Sequence, residues 1–314
     1  MKEVTVCPLC HSKDIHNFDN IPRNILDENV LKLNLNFMIL ECKSCTFRFL
    51  NLMPETKDEL KTIYSSEYGA YKIDFNVIER LFSKLMSLVI FKSTYRTYFD
   101  IPILDYEKQN NSMLDIGSGS GILSSLYNSQ GWKVTSLDFN DNLKRLYHNN
   151  KSITFVTGDA FNPDFPAKTF DLIVASQILE HLPDPIAALR NWHSILKENG
   201  KLIIAVPNFG SLNRLIFNSY WFGGISAPFH LSFFNIESFK KLISSVRFKT
   251  LFHSDVFFPS FGKSLLQKIG MKSYNVDHFL WGKVIMVFFS PLDFVFSLLK
   301  RGDGLLFILE KEPE

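Results

Sequence analysis

The segment Leu114-Asp115-Ile116-Gly117-Ser118-Gly119-Ser120-Gly121 limits what this chain can fold into more than any other stretch. An aliphatic run that breaks into three alternating glycines reads as a buried strand ending in a tight turn, because glycine enters left-handed backbone without steric cost. A second apolar run, Trp132 to Leu137, ends in Asp138. Strand, glycine turn, helix and an acid about 20 residues on outline a nucleotide-binding βαβ unit, with the carboxylate placed to accept from a ribose hydroxyl.

The glycine spacing separates cofactors. A dinucleotide turn uses G-x-G-x-x-G, whereas Ile122 stands where the third glycine would fall. Asp115, next to the turn, would repel a pyrophosphate but attract a cationic amino acid group. Both features favour S-adenosylmethionine and speak against a nicotinamide-dependent oxidoreductase.

From Ser112 the chain alternates between strand-like and helix-like segments. The strands are expected at Met113–Ile116, Val134–Asp138, Ile153–Val156, Leu172–Ala175 and Leu202–Val206, with helices near Ile122–Gln130, Asn140–Asn149 and Pro185–Lys197. Aliphatic strands joined by helix-length connections predict a doubly wound, Rossmann-like α/β sheet. Ligands of such sheets bind beyond the strand C-termini. The expected cofactor contacts are therefore Asp115, Gly117, Ser118, Gly119, Gly121, Asp138, Phe139, Asp159, Ala160, Ser176 and Gln177. Asp159 would accept from an adenine amino group, with a solvated turn aspartate as the plainer alternative. Glu180 and His181 follow Gln177 and would face the pocket, or else cap or salt-bridge the next helix.

All four cysteines fall within the first 45 residues, as Cys7-Pro8-Leu9-Cys10 and Cys42-Lys43-Ser44-Cys45. Two C-x-x-C knuckles can complete a tetrahedral thiolate shell, so Cys7, Cys10, Cys42 and Cys45 are expected to hold one structural zinc ion; iron, disulfides or unrelated thiols are the other readings. A closed shell leaves no position for chemistry, and the metal would fold the module. Met1 to Val6 offers no apolar leader, so a cytoplasmic setting that preserves thiols is expected.

Charge argues against nucleic acid. The formal net charge is +2, and residues 1–60 carry seven Lys/Arg against nine Asp/Glu. Phosphate binding needs clustered cations, so a module that faces protein or covers substrate is the better expectation. Three parts follow: a zinc-binding module over 1–55, a helical connector and substrate lid over 56–108, and a cofactor-binding domain over 109–314. Within the last, an apolar helical insertion at 262–300 precedes a final strand, Leu305 to Leu309. Phe279 to Leu299 is apolar enough to raise a membrane span, but Lys283, Pro291 and Asp293 interrupt it, and a central aspartate costs about 2.5–3.5 kcal/mol on insertion. A buried helix pair is the plain reading. A membrane-surface patch receiving a lipid-linked acceptor at the inner membrane surface is the sharper one.

The set LDIGSGSG, LDFN, GDA, FDLIVASQILEHLPDP and AVPN, covering roughly Ser112 to Asn208, resembles the class I S-adenosylmethionine-dependent methyltransferases. CPLC and CKSC followed by SSEYGAY resemble the zinc-bearing methyltransferases of sugar and surface-glycan biosynthesis. That resemblance implies an acceptor that is a nucleotide-sugar, a polysaccharide precursor or a lipid-linked glycan. It also implies that Tyr68 or Tyr71 closes over the substrate and that His230 is a base, with His181 as second candidate. Phe229 stands where the sugar C-methyltransferases carry glutamate, and the further C-terminal domain of those enzymes is not expected in this length. Quinone-pathway O-methyltransferases resemble the LEHLPDP stretch, with glutamate in place of Gln177. Two function classes remain: an enzyme methylating a small acceptor, and an RNA methyltransferase or non-catalytic adaptor whose zinc module grips a macromolecule.

Overall fold

The computed structural model describes residues 1–26, 28–32, 34–54, 59, 111–147, 151–271 and 280–312. The N-terminal part is a small β module. β1 (Lys2–Glu3) pairs with β5 (Leu52–Met53), and β2 (Ile15–Asn20), β3 (Met38–Cys42) and β4 (Arg48–Leu50) form an antiparallel ribbon, with the single-turn helix α1 (Glu28–Leu31) between β2 and β3.

The large sheet follows the pattern expected of doubly wound folds. β6 (Ser112–Ile116), β7 (Lys133–Asp138), β8 (Ile153–Thr157), β9 (Phe170–Ser176) and β10 (Leu196–Pro207) run parallel in the order β10-β9-β6-β7-β8. The chain winds from β6 toward β7 and β8, then returns to β9 and β10 on the other side. The order therefore reverses between β6 and β9, the switch point where such sheets bind ligands. β12 (Phe248–Val256) and β13 (Gly304–Lys311) extend the sheet to seven strands, with β13 antiparallel between β10 and β12. Parallel strands covered on both faces read as aliphatic runs, and Leu172 to Ala175 and Leu202 to Val206 are buried as that requires.

Local signals set the helices. α2 (Ile122–Ser129) springs directly from Gly121, whose φ of 71° makes the turn. α3 (Pro185–Ile195) has Pro185 in its first turn and Asp184 as N-cap, the carboxylate accepting from Ala187 N at 2.9 Å. α4 (Leu212–Phe217) follows β10, and α5 (Ile236–Ser244) opens on an Asn235/Ser238 capping box. α6 (Phe261–Lys268) and α7 (Leu280–Leu298) form the helical insertion before β13.

Four expectations are revised. The segment expected as a helix from Asn140 is a 3-10 turn over Asp141–Tyr147. β10 begins at Leu196, pairs there with Phe170, and bulges before Lys201. β12 was not expected, and α7 is one continuous helix through Pro291, with an exposed outer face. Among the described residues no helix is long and apolar enough to cross a membrane.

The module does not stand apart from the sheet. β11 (Ser232–Phe233) adds to β4 as a fourth strand, giving β11-β4-β3-β2. Phe47 meets Phe234 at 5.5 Å, and Phe239 stacks on Phe307 of β13 at 4.2 Å. Arg48 and Arg214 lie over the rings of Phe18 and Phe209, each 4.4 Å from the nearer centroid, and pair with Glu41 and Asp19. Guanidinium groups suit such burial because they stack and pair at once.

Candidate active site and metal centre

The glycine turn is held from below and left open above. Gly117, Gly119 and Gly121 all have positive φ, at 68°, 47° and 71°. Gly117 N and Ser118 N donate to Leu137 O at 2.8 and 3.0 Å, tying the turn to β7. Asp138, at the end of β7, accepts from Gly119 N and Asn140 N, both at 3.0 Å. Burial nevertheless pushes its carboxyl above the usual range, and the backbone donors of Asn140 and Gly119 oppose that rise. A Cβ at Gly117 would sit 2.6 Å from Ile178 Cδ1, whereas one at Gly119 would meet only Gly117 O at 3.9 Å. Ile178 of the β9 loop thus closes the turn at Gly117, while the space over Gly119 is an open cradle.

The remaining expected cofactor contacts distribute around this cradle. Asp115 is buried beneath it, accepting from Ser124 Oγ at 2.6 Å, and burial raises its pKa to about 6. Ser124 and Ser136 share a second 2.6 Å bond; this serine pair was not singled out from sequence. Ser118 is buried and accepts from Tyr147 OH at 3.3 Å. Phe139 is exposed beside Asp138. Asp159 and Ala160 follow β8 at the same edge. Asp159 is exposed and accepts from Phe161 N at 2.9 Å, and Ala160 O accepts from Trp192 Nε1 at 2.8 Å. Ser176 ends β9, and Gln177 turns at a φ of 55°, its N–H donating to Ala205 O. Tyr68 and Tyr71 lie outside the described residues.

Beyond β9 the chain brings two distant histidines together. His181 and His230 have ring centroids 4.8 Å apart and nearly perpendicular planes. Leu231 N donates to Glu180 O at 2.8 Å, which seats the segment carrying His230 against the β9 loop. His181 Nδ1 lies 3.0 Å from Phe229 O, and His230 Nδ1 lies 3.0 Å from Gly224 O. A carbonyl oxygen only accepts, so each Nδ1 carries the proton and each Nε2 is the basic atom. Burial lowers His230 to about 4, and burial with the neighbouring His230 lowers His181 to about 3. Both rings are therefore neutral near pH 7. Glu180 is fully buried with neither carboxylate oxygen hydrogen-bonded, and burial raises it to about 8. It does not cap α3; Asp184 does. Ligand-type atoms of Glu180, His181 and His230 lie within 4.8 Å of one another, a set that could hold a divalent cation.

The cysteines converge as two matching knuckles. Cys7 Sγ lies 3.5 Å from Cys45 Sγ, and Cys10 Sγ lies 3.5 Å from Cys42 Sγ, with all four sulfurs within 4.8 Å. Four sulfurs 2.3 Å from one centre would be about 3.8 Å apart. His11 N donates to Cys7 O, Thr46 N donates to Cys42 O, and both His11 and Thr46 have positive φ, at 58° and 62°. Leu9 N donates to Cys7 Sγ at 3.4 Å, a backbone bond suited to a thiolate. This donor set fits zinc.

Residues 94–251, which carry the glycine turn, Asp138 and the switch point, match the family described as a methyltransferase domain, over half of the chain. The chain belongs to that family. A demethylmenaquinone methyltransferase of Renibacterium salmoninarum is 29% identical over 43% of this chain and 58% of its own. A ubiquinone biosynthesis O-methyltransferase of Coxiella burnetii is 30% identical over 37% of this chain and 50% of its own. The chain thus spans about half the length of the curated relatives it matches. A solved S-adenosylmethionine-dependent methyltransferase from Methanosarcina mazei overlays with a TM-score of 0.47 at 20% identity, covering 68% of this chain and 98% of that one.

Proposed function

We propose that this methyltransferase-domain protein transfers a methyl group from S-adenosylmethionine to a hydroxyl of a small acceptor, foremost a nucleotide-sugar, glycan precursor or lipid-linked sugar. The observation that carries the reading is the histidine pair at the end of β9, one strand from the glycine cradle. When bound, S-adenosylmethionine supplies a methyl group already activated on a sulfonium. The Gly117–Gly121 turn and Asp138 would hold the methionine and ribose portions, and Asp159 and Phe139 the adenine. His230 and His181 are neutral but weakly basic. As a hydroxyl oxygen gains its bond to carbon, its proton becomes strongly acidic, and a weak imidazole base then suffices. An unactivated carbon would need a stronger base, so the lowered pKa values favour oxygen. The four cysteines are assigned a structural zinc ion.

A second reading, a phenolic hydroxyl of a quinone precursor, is favoured by the similarity to ubiquinone biosynthesis O-methyltransferases. One experiment tests both. The zinc-loaded protein is incubated with S-adenosylmethionine and panels of nucleotide-sugars, lipid-linked sugars, quinone-type phenols and RNA, and products are read by mass spectrometry. A methylated sugar hydroxyl is expected. Methylated phenol alone would replace the first reading by the second, and methylated RNA alone, or no cofactor binding by calorimetry, would remove both.

A further inference from the structure

α7 reverses the usual arrangement of a surface helix. Every exposed position from 284 to 299 is apolar. Val284, Phe288, Leu292, Val295 and Leu299 recur every three or four residues and so form one stripe along the helix. Phe288 is 75% exposed and Leu298 is 67% exposed.

The polar side of the helix is pinned inward. Asp293 is buried and accepts from Asn213 Nδ2 at 2.6 Å and Phe261 N at 3.1 Å. Asn213 Nδ2 also donates to Asp303 Oδ2 at 2.6 Å, so α4, α7 and the start of β13 share one buried polar centre. α6 packs so close that a Cβ at Gly262 would lie 2.7 Å from Ile285 O. Rotating the stripe inward would break these contacts and leave the buried Asn213 and the Phe261 N–H without this acceptor. The outward hydrocarbon face is thus built into the fold.

Charge identifies what such a face suits. Lys268, Lys300 and Arg301 are exposed around the helical insertion. Among the described residues from 257 to 302 the only anion is the buried Asp293. Two copies meeting through α7 would bring like-charged rims together, whereas an anionic headgroup layer would meet the rim with opposite charge and the stripe with acyl chains. Because no described helix is long and apolar enough to span a bilayer, the helix would lie in the interface, its apolar face about 5–10 Å deep.

We propose that the exposed face of α7, rimmed by Lys268, Lys300 and Arg301, docks on an anionic lipid surface. This does not depend on methyl transfer, because vesicle binding requires no turnover. The test is co-sedimentation of the full chain with phosphatidylcholine vesicles and with vesicles containing about one-third phosphatidylglycerol. The full chain should partition onto the anionic vesicles and come off as salt is raised. Phe288→Glu with Leu298→Glu should lower partitioning at least about tenfold, since charged side chains replace apolar ones at the point of insertion. Lys268→Glu with Lys300→Glu should lower it about tenfold on anionic vesicles. Unchanged thermal unfolding identifies the folded variants; if the glutamate pair fails that check, Phe288→Ser with Leu298→Ser takes its place. Absence of vesicle binding by the full chain, or equal binding by the variants, overturns the proposal. So does self-association abolished by Phe288→Glu in a protein that ignores vesicles, since the face would then pair two copies.

Discussion

Asp138 is the side chain on which the glycine turn is hung: it accepts from Gly119 N and Asn140 N and is the proposed acceptor for a ribose hydroxyl. Asp138→Ala should weaken S-adenosylmethionine binding by about 1.5–3 kcal/mol, the scale of a hydrogen bond to a charged group, as read by calorimetry. His230→Ala should lower turnover by about 10²–10⁴-fold while cofactor affinity is kept; lost thermal stability with turnover per folded molecule preserved would make the ring structural. Glu180 gives a pH signature in protein loaded with zinc at its four cysteines and kept free of other divalent cations. Its folded pKa of about 8 exceeds the ordinary 4.5, so its contribution is complete below 4.5 and is lost as pH rises toward 8. The histidines act oppositely. Lowered from 6.5 to about 3 and about 4, they contribute fully above 6.5 and lose that contribution as pH falls. The three together are most favourable near pH 6.5. Glu180→Gln should remove the alkaline decline, so that between pH 6.5 and 8 it gains about 1–2 kcal/mol on the parent in parallel thermal melts.

At the scale of elements, the two knuckles make a sharp prediction: one zinc per chain, lost in Cys42→Ser, as read by metal analysis of protein purified under reducing conditions. The knuckles and the parallel strands were legible because each has a local cause. Thiolates with two residues between them have few uses in a reducing setting, and strands buried on both faces are written as aliphatic runs. β12 was illegible because it carries Lys249, His253 and Asp255 and buries no regular face, pairing on β13 with a register shift after Thr250. β11 is two residues long and exists only because β4 receives it; no local pattern encodes a partner nearly 200 residues away. Asp293 looked like an interruption of an apolar stretch, and it is instead the residue that decides which side of α7 faces inward. Glu180 had only its place next to His181 to recommend it. A carboxylate is ordinarily solvated, and its complete burial accompanies the bond from Leu231 N to Glu180 O, a long-range contact that no local pattern announces.

Across the whole molecule, the four-cysteine module and the histidine pair are joined by one ladder. Leu50 N donates to Leu231 O at 2.9 Å, Phe49 pairs with Ser232, and Leu231 N donates onward to Glu180 O. Lys241 Nζ, from α5, donates to Cys45 O at 2.9 Å, so the second knuckle is also tied to the helix that follows β11. Among the described residues, the hydrogen bonds of the glycine turn run to β7, to α2 and to Tyr147. A module of about 50 residues has too little core to hold its shape without the metal. Removing zinc should therefore loosen β4, release β11, and let His230 leave His181, while β6 to β10 keep their buried pairing. The expected outcome is a zinc-free protein that binds S-adenosylmethionine within about threefold of the loaded protein yet turns over at least about tenfold more slowly, because misplaced acid–base groups forfeit most of their effect. Calorimetry and product formation on one preparation, before and after zinc is restored, measure both. Equal loss of the two would mean that the module supports the entire fold, and loss of neither would mean that the ladder from Cys42 to His230 holds without its metal.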